Sequence, residues 1–264
     1  LFVRTLLYSL AVALTCFLAG GMAGSALWLW RGRRALVLRW LLLILAPLPP
    51  YIHGLAWSSL AGAVNRQLRT AGLVEIPFRG MLASWWVESM ALLPIAAGIA
   101  LIGFLMIDRE QLEAASLEGS SSTWIRDVVV PLVLPVLAAG SGVVFILSLV
   151  DYSVPSLFQM NVYAMEIFAD FSASNDEARA FLLGLPLWLA AMAALGLVLR
   201  GERGWSAMDE NLPKHPLQLP AWLRAAQRIS VVVLVAQILV PLVSQVLLVG
   251  SLEALFRAVS DAAG

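Results

Sequence analysis

The sequence predicts an all-α polytopic membrane bundle of about six transmembrane helices, and three observations lead there. Hydrophobic residues make up 61% of the chain and charged residues only 13%, with a mean hydropathy of +0.87. A water-soluble domain cannot hide that much apolar surface, so lipid must be part of the solvent. The few charges are also segregated, leaving long stretches that carry none. A hydrocarbon core of about 30 Å needs about 20 residues of helix at about 1.5 Å each, and these stretches are that long. Backbone groups in lipid must be satisfied within their own segment, so each stretch is read as a helix.

The first span is expected over 6–30, because no charge lies between Arg4 and Arg31. It lacks the basic start of a secretory leader, and its apolar run is too long for one. Gly20 and Gly24 form a small-xxx-small pair on it, the pattern that lets two membrane helices approach closely. The second span is expected over 37–58, most of it in the uncharged stretch between Arg39 and Arg66, where Pro47, Pro49 and Pro50 must kink or break it. The third covers 81–106, contains Pro94, and has Glu88 as its one charge. The fourth (129–150), fifth (180–199) and sixth (229–250) follow from the stretches Asp127–Asp151, Arg179–Arg200 and Arg228–Glu253. Trp28, Trp30, Trp57, Trp85 and Trp86 fall near span ends, which suits anchoring at the lipid–water interface.

Six spans place the segments 31–39, 107–127 and 200–228 on one side. That side holds 11 basic residues against 6 on the other, so the positive-inside bias puts it in the cytoplasm. The segment 200–228, with Pro213, Pro216 and Pro220, is expected to be a cytoplasmic linker between a five-span core (1–199) and a last unit, 229–264. The 17 basic and 17 acidic residues balance, which gives nucleic acid no electrostatic footprint. The lone Cys16 excludes an internal disulfide, and no cofactor is expected.

The cytoplasmic segment 107–127 differs from an ordinary connector. Asp108 can cap a helix start, with Gln111 reaching back to it. Glu113, Ala114 and Ala115 continue a helix-favouring run, Gly119 can close it, and Ser120 to Ser122 can cap a second short helix. A shaped helix–turn–helix or a solvated connector would both account for these residues. The series Glu113-Ala114-Ala115, three residues, Gly119, then Val128 to Pro131 and Pro135 resembles the signature loop of permease subunits in binding-protein-dependent ABC importers. Here Pro131 comes one residue earlier than in the family pattern. Arg31 to Arg34, Ala46 to Tyr51, Gly54 to Trp57, Asp151 to Phe158 and Glu166 to Phe168 are similar to the iron(III)-type branch, in which one chain often carries two permease halves.

The resemblance implies a permease whose Glu113, Ala114, Ala115, Gly119 and Pro131 couple it to separate ABC ATPase subunits. It further implies an extracytoplasmic solute-binding protein as partner, a place in the plasma (inner) membrane, and iron(III) or another small solute as cargo. ATP hydrolysis would lie on the other subunit, and the sequence contains no phosphate-cradling glycine loop of its own. The segment 229–264 would open a second permease half, the chain continuing beyond both ends.

An ionisable residue within a span is a functional candidate by default, and broken helices can line a solute path. Glu88 and Pro94 are therefore the candidates for the translocation path. His53 lies within the second span, and the only other histidine, His215, falls in the linker, so a metal pair is not expected. An ion-driven secondary transporter would favour several intramembrane carboxylates where this chain has one, and a membrane redox subunit would need paired intramembrane histidines. A bare structural anchor would not need a shaped loop.

Overall fold

In a computed structural model, residues 1–30, 32–45, 48–107, 125–201 and 220–249 are described. They form helices and short connections without a strand. The long helices are α1 (Phe2–Leu29), α4 (Gly80–Leu105), α5 (Val130–Val150), α8 (Glu177–Gly201) and α9 (Ala221–Val249). All five are long and apolar enough to cross a membrane, α5 together with the turn that precedes it. Between them lie α2 (Arg33–Leu45), α3 (Pro50–Thr70), α6 (Ser153–Leu157) and α7 (Tyr163–Ser174).

The expected second span is corrected. Instead of one helix over 37–58 there are two, α2 ending at Leu45 and α3 starting at Pro50. A proline ring cannot donate to the preceding turn and crowds it, whereas at the first helical position it costs nothing. Pro50 accordingly takes that first position, with Pro49 as the extended residue before it. Beyond Gly62, α3 turns polar, with Asn65, Arg66, Gln67 and Arg69. It closes in a Schellman turn: Leu73 N–H donates to the Leu68 carbonyl, Gly72 N–H to that of Arg69, and Gly72 takes φ +72°. Asn65 then clasps both backbone groups of Ile76 at 2.9 Å.

Two of the long helices run parallel. Tyr8 meets Ser84, Gly20 meets Ala96, Gly24 meets Ala100 and Trp28 stacks on Phe104, each pair separated by the same 76 positions. A Cβ built on Gly20 or Gly24 would fall 2.7 or 2.6 Å from an alanine methyl of α4. The glycine pair therefore sets a close α1–α4 contact. Parallel neighbours need a return crossing between them, and α2 with α3 supplies it as a broken span. Arg39 on α2 donates to the Leu27 carbonyl at the Trp28 end of the bundle, while Trp57 on α3 packs on Trp86 near the opposite end of α4.

Helix α5 is antiparallel to both, with Val133 and Val136 at Gly103, Ile99 at Gly140, and Ser141 Oγ on the Ala13 carbonyl. A π-helical turn, Ile125–Val129, leads into it. Pro131, which lacks an N–H, follows in the first turn of α5, where that donor would have no partner within an ordinary α-helix. Helix α9 begins at Ala221, taking its first turns from the segment expected to be linker. Gln227 reaches Ser25 near one end and Ser244 Oγ reaches the Ala56 carbonyl near the other, so α9 runs alongside α3 in the same direction.

The outer face of α1 carries Val3, Leu7, Leu10, Leu14 and Leu18, all exposed. Thr5, Tyr8, Ser9, Val12, Cys16, Gly20 and Gly24 face inward. Polar and small residues inside with large aliphatics outside is the distribution expected of a bundle solvated by lipid. The chain is thus a helical membrane bundle with five continuous candidate spans among the described residues.

Candidate functional site

The most distinctive chemistry within the described bundle surrounds Glu88. It lies on the inner face of α4, 0% exposed. The Tyr8 hydroxyl of α1 donates to Glu88 Oε2 at 2.5 Å. That hydroxyl has a single proton, so the Ser84 hydroxyl, 2.7 Å away and one turn before Glu88, donates to it in turn. Oε1 of Glu88 has no hydrogen-bond partner among the described residues. Ser148 of α5 and Asp151 just beyond it lie within electrostatic reach, yet Ser148 makes no hydrogen bond of proper geometry. Asp151 spends its carboxylate on the start of α6, accepting from Ser153 N–H at 2.9 Å and Ser153 Oγ at 2.7 Å.

The surroundings tie α1 to α4 on either side of this group. Cys16 Sγ donates to the Ser89 carbonyl at 3.4 Å, and Trp85 Nε1 donates to Thr15 Oγ1 at 3.2 Å. Cys16 is thus a packed interior thiol. At the Tyr8 end, Thr5 Oγ1 accepts from Tyr163 N–H at 2.9 Å and anchors α7.

A buried carboxyl is costly unless its oxygens are bonded, so the Tyr8 hydroxyl is expected to carry much of its compensation. Tyr8→Phe should lower bundle stability by about 1–3 kcal/mol, the cost of stranding a buried polar group. Adding Glu88→Leu should recover most of that loss, because both partners are then gone. Thermal unfolding midpoints of the detergent-solubilised single and double variants measure it. Additive losses in the double variant would show that the pair is not coupled.

Of the residues expected to form the site, Glu88 and Pro94 both lie on α4 and both are buried. Pro131 sits exposed in the first turn of α5, at the Trp28 end. Glu113, Ala114, Ala115 and Gly119 lie outside the described residues. His53 is buried, 2% exposed, and among the described residues no group of three metal-binding side chains forms. Tyr8 was absent from the sequence reading. Its signal was a phenol inside an otherwise apolar span, facing a chain with one intramembrane carboxylate to satisfy.

No protein-family model matches this chain, and no curated protein matches it.

Proposed function

We propose that this chain is the membrane-spanning permease subunit of an ATP-driven importer supplied by a solute-binding protein. One observation carries the reading: the series Glu113-Ala114-Ala115, three residues, Gly119, in the segment that joins α4 to α5. The ends of that segment support it. Ile107 is buried in the apolar cluster at the Trp28 end, and Ile125 packs against the same cluster. A rigid link at this point would pass a push from outside the membrane to α4, which carries Glu88, and to α5, both of which pack on α1. Alternating access needs such a coupling between nucleotide state and bundle.

In this reading the partners are a pair of ABC ATPase subunits and an extracytoplasmic binding protein, in the plasma (inner) membrane. Iron(III) or another small solute is the cargo, and the ATPase subunits hydrolyse the ATP. Site-directed cross-linking tests it. A cysteine at Ser121, in a Cys16→Ala background, should form a disulfide-length cross-link to the ATPase subunit encoded with this chain. Cysteine at Ser172, on the other side in the predicted topology, should form none. Equal cross-linking from both positions, or from neither, would remove the support for the docking role.

A further inference from the structure

A cavity of about 160 Å³ lies at the Trp28 end of the bundle, at the opposite end of α1 from Tyr8 and Glu88. Its walls come from three long helices and the turn before α5: Gly21 and Trp28 of α1, Ile125 of the turn, Leu134 of α5, and Leu223 and Gln227 of α9. Nearly all of that wall is apolar. Its polar part is one couple, in which Gln227 Nε2 donates to Ser25 Oγ at 2.9 Å and Ser25 Oγ donates to the Met22 carbonyl at 2.8 Å. Gly21 has no share in the α1–α4 contact that occupies Gly20 and Gly24. A Cβ built on it would meet only the Leu137 methyls, the nearer at 3.6 Å. A glycine weakens a helix, and what this one leaves in return is space. An apolar cavity of about 150 Å³ stays dry and takes up benzene, so this one has room for about six carbon atoms of a ligand.

The cavity opens toward lipid. Leu18 and Leu134 line it and are 55% and 46% exposed, and Leu18 also belongs to the aliphatic row on the outer face of α1. Hydrocarbon chains are therefore the material closest at hand to fill it. A chain gains little by exchanging bilayer for pocket, since lipid tails are as apolar as leucine. Selectivity has to come from a headgroup, and the charges beside the cavity are suited to one. Arg126, Arg224 and Arg228 are exposed, and each directly follows a lining residue, Ile125, Leu223 or Gln227. Asp127 is the one carboxylate in those turns. Trp28 and the exposed Trp222 mark the level of the lipid–water interface, from which arginine side chains reach headgroups. Basic pockets between membrane helices on the cytoplasmic side suit anionic headgroups. We propose that this cavity binds one anionic phospholipid, with an acyl chain between α1, α5 and α9 and the phosphate on Arg224 and Arg228. Gln227 keeps a second amide hydrogen for an ester carbonyl. Bound there, the lipid ties the turn that enters α5 to α1 and α9. The site rests on the membrane bundle and its topology, not on the permease reading.

The test titrates the full-length protein, purified in detergent, with dioleoylphosphatidylglycerol or dioleoylphosphatidylcholine and counts bound lipid by native mass spectrometry. One phosphatidylglycerol should bind about tenfold more tightly than phosphatidylcholine, or better. Equal affinities would mean ordinary solvating lipid and would overturn the proposal. Arg224→Gln combined with Arg228→Gln, both at exposed positions, should cut that preference to about threefold or less. A preference left at the wild-type value would place the headgroup elsewhere and overturn the site. Gly21→Leu fills the cavity from its floor. It should weaken phosphatidylglycerol binding by about tenfold or more, while the lipid-free unfolding midpoint stays at the wild-type value or rises. Leu134→Trp, which plugs the mouth from a half-exposed position, takes its place if Gly21→Leu does not fold. Wild-type affinity in a folded, cavity-filled variant would overturn the acyl-chain site.

Discussion

Gly24→Ala is expected to unseat α1 from α4, while the same one-carbon change at Gly98, on α4, leaves the bundle intact. The added Cβ at residue 24 would lie 2.6 Å from the Ala100 methyl, 2.8 Å from the Leu101 nitrogen and 3.0 Å from the Ala97 oxygen. Two of those atoms are backbone, so the helix itself has to retreat. Overpacking of this kind costs about 1–3 kcal/mol, and leucine at the same place should cost more. Around Gly98 nothing lies within 4 Å of the added carbon. There alanine removes the entropic penalty of a glycine within a helix, a gain of about 0.5–1 kcal/mol. The two variants should therefore shift the unfolding midpoint in opposite directions. Retreat of α1 would also lengthen the Tyr8–Glu88 hydrogen bond, so Gly24→Ala should weaken the coupling measured by the Tyr8 and Glu88 double variant. Equal midpoints for the two alanine variants would contradict the close α1–α4 contact.

Gly119→Val is expected to abolish ATP-driven uptake while the protein remains folded in the membrane. The prediction follows from the sequence and the proposed coupling role. A glycine that closes a short helix can take the left-handed conformation, which a β-branched residue resists. A lever bent at the wrong angle cannot dock, whatever the state of the spans. Uptake should fall to the level of a strain lacking the chain, and the unfolding midpoint should stay within a degree or two of the wild type. Gly119→Ala should lose less, since alanine adopts the conformation at a cost of about 1 kcal/mol. Wild-type uptake by the valine variant would remove the turn from the mechanism.

Charge-free length was enough to locate α1, α4, α5, α8 and α9, because the hydrocarbon core sets a minimum length that composition records directly. The Gly20–Gly24 pair also announced a close helix contact. The second span was less legible. Pro47, Pro49 and Pro50 signalled a break, but the outer polar turns of α3, Asn65 to Thr70, read as loop in a window tuned to apolar runs. They are helical because Gly72 and Asn65 close the helix end locally. The short helices α6 and α7 follow from capping by Asp151 and from Thr5 of α1, the latter a contact 158 residues away in sequence that no local window can contain. Glu88 could be singled out by its charge. Its partner could not, because which face of α1 meets α4 depends on helix rotation, and a period of 3.6 residues in an almost uniformly apolar stretch leaves that rotation unspecified. Burial in a membrane bundle is likewise decided by neighbouring helices, not by hydropathy.

The parallel pairing of α1 and α4 has a consequence for how the protein is made. Helices that enter the bilayer in succession normally alternate in direction, and adjacent ones can associate as hairpins as soon as both are inserted. Here α1 must wait for α4. Its glycine face and its Tyr8 hydroxyl have no mate until the broken return through α2 and α3 is in place and α4 has followed it. During synthesis the ribosome therefore adds about 76 residues between a donor and its acceptor, the interval that separates Tyr8 from Ser84. In that window α1 shows the insertion machinery a polar, small-residue face rather than a lipid-ready one. The proline-broken crossing, poorest of the set in continuous apolar length, then becomes the step on which the whole core depends. Substitutions that lower the apolarity of α2 or the first turns of α3 should show up as rapid turnover of newly made chains rather than as slow transport by mature ones.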